Sequence, residues 1–224
     1  MNLSIVFYLT IDYPNQHTFF EAFDYLVSKG VATIEIGLPS KNPYMDGQVI
    51  ADSHALVLKH GFSKERYIEV MTELNQRYPH INRIVMTYKD VVDEFNLLQE
   101  SDMYEGIIVP DLLVESHGKA IQLYHDQLTD EQIKFRLEHN QVFAYVMSAY
   151  ASTGMIIKEK TFHSTINRIR KISDIPINVG FGIKSKDDVV EVNQLGVGAI
   201  IGSELLRKIH DMQEFKDYID MLFE

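Results

Sequence analysis

Ala32-Thr33-Ile34-Glu35-Ile36-Gly37-Leu38-Pro39-Ser40-Lys41-Asn42-Pro43-Tyr44-Met45-Asp46-Gly47 is the stretch from which the fold can be read. It starts as an apolar, β-branched run too short for a helix, the pattern of a buried strand. It then breaks into a loop punctuated by Gly37, Pro39, Pro43 and Gly47. Two carboxylates sit on it: Glu35 inside the strand and Asp46 in the loop. A charge inside a buried strand costs several kcal/mol unless it is paired or put to use. Glu35 is therefore the residue that most needs a reason.

Working outward, the same alternation of apolar run and helical stretch repeats. Strands are expected over residues 3–11, 32–37, 82–88, 106–110, 119–125, 142–148, 176–180 and 199–201. Helices are expected over residues 16–29, 49–59, 63–77, 92–99, 130–139, 162–172 and 185–195, with one last helix from Ser203 to the end. Residues 112–118 are too few for a normal helix, and residues 150–160 read as a loop. Eight strands joined by helical crossovers predict a parallel sheet, and eight units in 224 residues predict a compact (β/α)8 barrel. The helix after strand four is shortened or lost. Deleting that helix keeps the barrel closed, whereas losing a strand would expose edges. With no linker, low-complexity segment or internal repeat, residues 1–224 read as one domain.

Composition narrows the chemistry. The net charge of −11 supplies no basic stripe for nucleic acid. No apolar stretch is long enough for a membrane span, and the first residues lack the basic region and cleavage site of a signal peptide. Absence of cysteine excludes disulfides, thiolate metal sites and cysteine nucleophiles, so the cytoplasm is the expected compartment. The nine histidines show no metal-ligand spacing and read as surface or satisfied core residues. Ser148 and Ser203 lack an identifiable base, which leaves a Ser-His-Asp triad little support.

In a (β/α)8 barrel, function gathers at the C-terminal ends of the strands. Thr10, Glu35, Tyr88, Asp111, Tyr145 and Ser148 fall at or near those ends, and Asp46 in a following loop. Gly180-Phe181-Gly182 after strand seven and Gly202-Ser203 after strand eight match the usual position of a phosphate cradle. Desolvation of Glu35 would raise its pKa and suit it to proton shuttling near neutral pH. A buried glutamate bonded to backbone or water, and an aspartate supporting Gly47, are the plainer readings of the two acids.

At these residues the sequence resembles the tryptophan synthase α-subunit family. The resemblance rests on Glu35-Ile36-Gly37-Leu38-Pro39 and Asp46-Gly47-Gln48-Val49-Ile50, with the family's spacing between the acids. Met86-Thr87-Tyr88, Gly106-Ile107-Ile108-Val109-Pro110-Asp111, Tyr145-Val146-Met147-Ser148 and Ser152-Thr153-Gly154 follow in family order. Val179-Gly180-Phe181-Gly182-Ile183 and Ile200-Ile201-Gly202-Ser203 complete the series. The resemblance implies retro-aldol cleavage of indole-3-glycerol phosphate to indole and glyceraldehyde 3-phosphate. Glu35 would be the general acid–base, and Asp46 would accept the indole N–H and stabilise charge on the ring. It also implies that Tyr145 stands beside the substrate and Thr153 on a loop closing over it. Tyr8, Met86, Tyr88, Ile108 and Phe181 would wall the indole, and Gly154, Gly182, Gly202 and Ser203 would hold the phosphate. No metal or organic cofactor is implied, and the implied partner is a β subunit in an αββα tetramer.

The sequence departs from the family's pattern at several places. Asp12-Tyr13-Pro14 replaces Gly-Asp-Pro, Asn42 replaces an acid, and Asp90-Val91 replaces Asn-Pro. Ala151 stands where the closing loop has a glycine, and the helix before strand one is absent. Two alternatives stay open beside the lyase working with a β subunit: a non-catalytic phosphate-binding paralogue that regulates the β subunit, and a stand-alone lyase that releases indole.

Overall fold

The computed structural model describes residues 3–147 and 161–224. Ser148, Thr153, Gly154 and the loop expected over residues 150–160 lie outside them.

Among the described residues, nine strand segments form one sheet in which every neighbouring pair is parallel. β1 (Ile5–Thr10) lies between β2 (Thr33–Gly37) and β9 (Gly198–Ile201). The sheet continues on one side through β3 (Asn82–Met86) and β4 (Gly106–Ile108) to β5 (Ala120–Ile121). On the other side it runs through β8 (Ile177–Gly180) and β7 (Ala144–Met147) to β6 (Leu123–Tyr124). The two ends are consecutive pieces of chain. β5 pairs with β4, β6 pairs with β7, and only Gln122 separates them. The fold is thus a (β/α)8 barrel whose fifth stave carries two segments.

The expected unbroken fifth strand is corrected at Gln122. Its side chain donates to Val114 O (2.8 Å) and His139 O (3.1 Å), while its carbonyl accepts from Tyr145 N–H (3.1 Å), so pairing passes from one neighbouring strand to the other at this residue. No helix lies between β4 and β5 among the described residues, as the short segment after strand four predicts.

The helices follow their capping signals. α1 (Gln16–Ser28) starts at Asn15, whose side chain accepts from Thr18 N–H (3.0 Å), and buries Phe19, Phe20, Phe23 and Leu26. α2 (Gln48–Lys59) follows the Asp46 loop, and α3 (Lys64–Arg77) starts at Ser63, which caps Arg66 N–H. α4 spans Lys89–Phe95, beginning three residues earlier than expected and ending where Asn96 turns left-handed. α5 (Asp130–Glu138) and α7 (Lys186–Gln194) carry full capping boxes at Thr129 and Ser185. α6 covers Phe162–Arg170.

The single last helix expected from Ser203 is two, α8 (Ser203–Lys208) and α9 (Met212–Phe223). Asp211 restarts the second by accepting from Gln213 and Glu214 N–H groups, a strong N-cap that outweighs the continuing apolar spacing. The turn after β1, where the family pattern is altered, is held by Arg66. Its guanidinium donates to both oxygens of Asp12 (2.6 and 2.9 Å), which takes φ +56°.

Candidate active site

Register and pleat together decide what faces the barrel interior. Tyr8 is the partner of Glu35, and Thr10 of Gly37, so these four side-chain positions form two adjacent inward rows. The row through Gly37 continues to Met86 and Ile108. Two tyrosines lie across glycines of the next strand. A Cβ at Gly37 would fall 1.9 Å from Tyr8 Oη, and one at Gly180 would fall 2.2 Å from Tyr145 Oη. Only glycine leaves room for these rings to bend over the mouth of the barrel. Gly37→Ala should therefore displace Tyr8 and destabilise the fold by about 1–3 kcal/mol, read as a lowered urea midpoint with an unchanged m-value.

The resulting cleft measures about 400 Å³, its mouth included. Glu35 and Tyr8 stand on one wall with Asp46, Ile50 and Met86. Tyr145, Phe181, Gly182, Ile183 and Ser203 complete the lining, with Ile200 and Gly202 on the strand end next to Tyr8. Glu35 is 1% exposed, and its Oε1 has no hydrogen-bond partner among the described residues. Burial raises its pKa to about 8, with the Asp46 charge adding to the shift. A carboxyl in that state is mostly protonated at neutral pH, yet close enough to its pKa to exchange protons.

Asp46 is oriented rather than buried. Tyr88 Oη donates to its Oδ2 (2.8 Å) and accepts from Met45 N–H (3.1 Å), while the exposed Tyr44 ring rests against Tyr88. Burial and the neighbouring Asp46 push the Tyr88 phenol pKa up, so it remains a donor. Farther up the same loop, Ser40 Oγ lies 2.9 Å from both oxygens of Asp90 and accepts from Asn42 N–H. The altered residue Asp90 thus fastens the loop that carries Asp46.

After β8, Phe181 and Gly182 take consecutive positive φ values, +65° and +86°. For Phe181 this costs about 1–2 kcal/mol, and its ring packs edge-on against Tyr145 at 5.8 Å between centroids. After β9, Gly202 precedes α8, whose first capping bond is Leu205 N–H to Gly202 O (2.9 Å). The Ser203 and Glu204 amides precede that bond, at the positive end of the helix.

The structure gathers Tyr8, Glu35, Asp46, Met86, Tyr145, Phe181, Gly182, Gly202 and Ser203 around one cleft. Tyr88 stands behind Asp46 rather than on the wall. Ile108 is fully buried as the register partner of Met86, one strand farther along the same row. Thr153 and Gly154 lie outside the described residues. Sequence reasoning missed Ile50, Ile183, Ile200 and the buried His54 behind Tyr8. Among the described residues, no group of three or more His, Asp or Glu side chains could hold a metal ion, and no helix is long and apolar enough to cross a membrane.

A parallel (β/α)8 barrel with a buried acid on its second strand, a second acid on the next loop and glycine turns after its last two strands defines the class of protein. The chain belongs to the tryptophan synthase alpha chain family, whose model matches residues 2–222. A tryptophan synthase alpha chain of Methanocaldococcus jannaschii is 30% identical over 91% of this chain and 78% of its own length. That of Aquifex aeolicus is 28% identical over 93% and 88%. A mutant tryptophan synthase alpha-subunit from the hyperthermophile Pyrococcus furiosus superposes with a TM-score of 0.83 at 25% identity, covering 98% of this chain and 97% of that one. A Mycobacterium tuberculosis tryptophan synthase structure shares the fold with a TM-score of 0.86 at 24% identity, over 98% and 91%. Family membership gives the chain a lyase role in tryptophan biosynthesis.

Proposed function

We propose that the chain cleaves indole-3-glycerol phosphate to indole and glyceraldehyde 3-phosphate, with Glu35 as the proton carrier. The observation that carries this reading is a lone buried carboxyl, pKa raised to about 8, lining one cleft with a second acid and with glycine turns. Protonated Glu35 gives its proton to the ring carbon that bears the side chain. Positive charge then develops on the ring nitrogen, whose N–H donates to Asp46, held in place by Tyr88. The Glu35 carboxylate next takes the proton of the side-chain hydroxyl. The carbon–oxygen double bond forms, the carbon–carbon bond breaks, and its electron pair neutralises the ring. Glu35 ends protonated as it began, so one group serves both steps.

The turns at Gly182 and Gly202-Ser203 would bind the phosphate through backbone amides, as helix-start and glycine loops do without lysine. The partner in this reading is a β subunit that consumes the indole. The intact acid pair favours a working lyase over a non-catalytic paralogue. The test is to incubate the purified chain with indole-3-glycerol phosphate, with and without a tryptophan synthase β subunit, and to quantify both products. Indole and glyceraldehyde 3-phosphate in equal amounts, formed faster with the β subunit, are the expected outcome. Tight β-subunit binding with no product in either case would favour the paralogue instead.

A further inference from the structure

Behind Tyr8 runs a buried polar chain that the reaction above leaves unused. Ser40 N–H donates to His54 Nδ1 (3.2 Å), so that nitrogen holds a lone pair and the neutral ring carries its proton on Nε2. Burial keeps the ring neutral by lowering its pKa to about 4, against a smaller upward pull from Asp90. Nε2 therefore donates to Tyr8 Oη at 3.2 Å. Ser53 Oγ donates to Ile50 O (2.7 Å), so the Thr10 hydroxyl gives its single proton to Ser53 Oγ (2.7 Å) and can only accept from Tyr8 Oη, 3.3 Å away and beyond the ordinary range of an O–H···O bond. The phenol oxygen thus accepts from His54 and is held on that side. Among the described residues its own hydrogen has only that long contact to Thr10 Oγ1 as an outlet, although Tyr8 is 3% exposed and lines the cleft.

Leaving a buried donor unpaired costs about 1–3 kcal/mol. Glu35 Oε1, on the register partner of Tyr8, is a buried polar atom without a partner among the described residues. The Tyr8 hydroxyl lies over Gly37, two residues farther along β2 than Glu35 and on the same face. A weakly held donor beside a carboxyl oxygen without a partner among the described residues fits one ligand group: an alcohol, which accepts from the phenol while donating to the carboxylate.

We infer that Tyr8 is a further catalytic residue, donating a hydrogen bond to the alcohol oxygen that loses its proton to Glu35, and that His54 is a positioning residue acting through Tyr8. The inference rests on the lyase reading above. As the alcohol proton moves to Glu35, negative charge grows on its oxygen and the Tyr8 bond strengthens. Tyr8 keeps its own proton throughout, so the proton balance of the reaction is unchanged. His54 holds the oxygen by donating to it, and a ligand oxygen in the cleft takes the phenol proton in place of the long contact to Thr10.

Tyr8→Phe tests this, because it keeps the ring over Gly37 and removes only the hydroxyl. It should lower kcat on the order of 10- to 100-fold, with KM little changed and the thermal midpoint lowered only as far as the loss of His54's buried acceptor requires. Affinity for an analogue with hydrogen in place of the reacting hydroxyl should be the same in both proteins. His54→Leu should lower kcat by a similar factor, and the Tyr8→Phe/His54→Leu double variant should lose no more than Tyr8→Phe alone. Wild-type kcat in Tyr8→Phe would overturn the inference while leaving the lyase reading intact. Losses that multiply in the double variant would overturn the role of His54. Absence of turnover in the wild-type chain would overturn the lyase reading, and the inference with it.

Discussion

Glu35→Gln is expected to lower turnover by a factor on the order of 10²–10⁴, the usual contribution of a positioned acid–base, and to flatten the pH dependence of stability. The second effect follows from the sign of the pKa shift. Folded Glu35 titrates at about 8, above its ordinary value of 4.5, because burial and Asp46 disfavour the charged form. Below pH 4.5 both folded and unfolded chains hold the proton, and Glu35 costs nothing. Between pH 4.5 and 8 only the unfolded chain ionises, so stability is lost as pH rises. Above pH 8 the penalty is constant, at about 5 kcal/mol as an order of magnitude. His54 works in the opposite direction: its lowered pKa removes stability as pH falls from 6.5 towards 4. That contribution is common to both proteins and cancels in their difference. Urea unfolding at pH 5 and pH 8.5 should therefore show the variant gaining several kcal/mol on the wild type between the two. A pH-independent difference would mean that Glu35 is not the buried, protonated group described.

Asp46→Asn is expected to lower kcat on the order of 10²–10³-fold, the loss found when a group facing developing charge is neutralised in a dry site. The amide oxygen can still accept from Tyr88 Oη, now 2.8 Å from Asp46 Oδ2, so the loop should keep its position. Loss of the negative charge also removes the smaller contribution to the raised Glu35 pKa, which should fall but stay elevated by burial. Steady-state indole formation together with the pH–rate profile measures both effects. A wild-type kcat would exclude Asp46 from charge stabilisation.

Much of the site was legible in the stretch from Ala32 to Gly47 because strand, acid and loop come in one contiguous piece. The period-2 pleat and register then bring Tyr8 beside Glu35. Residues contributed across the barrel were legible only through the strand count and the family resemblance. Ile108 shares the inward row of Met86, and nothing in the sequence says how far along that row the cleft reaches. His54 read as a satisfied core histidine, and it is one. What the sequence conceals is that its partner, Tyr8, lies 46 residues away on the wall of the cleft. The break at Gln122 was hidden by an apolar alternation that continues through it, with Ile121 and Leu123 on either side. Asp211 was a visible cap signal inside a helical pattern, and the cap decided the outcome.

The most direct measurement is indole formed from indole-3-glycerol phosphate by the purified wild-type chain and by Glu35→Gln, at pH 7 with β subunit present. The account predicts steady release by the wild type, with glyceraldehyde 3-phosphate in equal amount, and a rate in Glu35→Gln lower by at least two orders of magnitude. Equal rates in the two proteins, or no release by a folded wild-type chain, would contradict it.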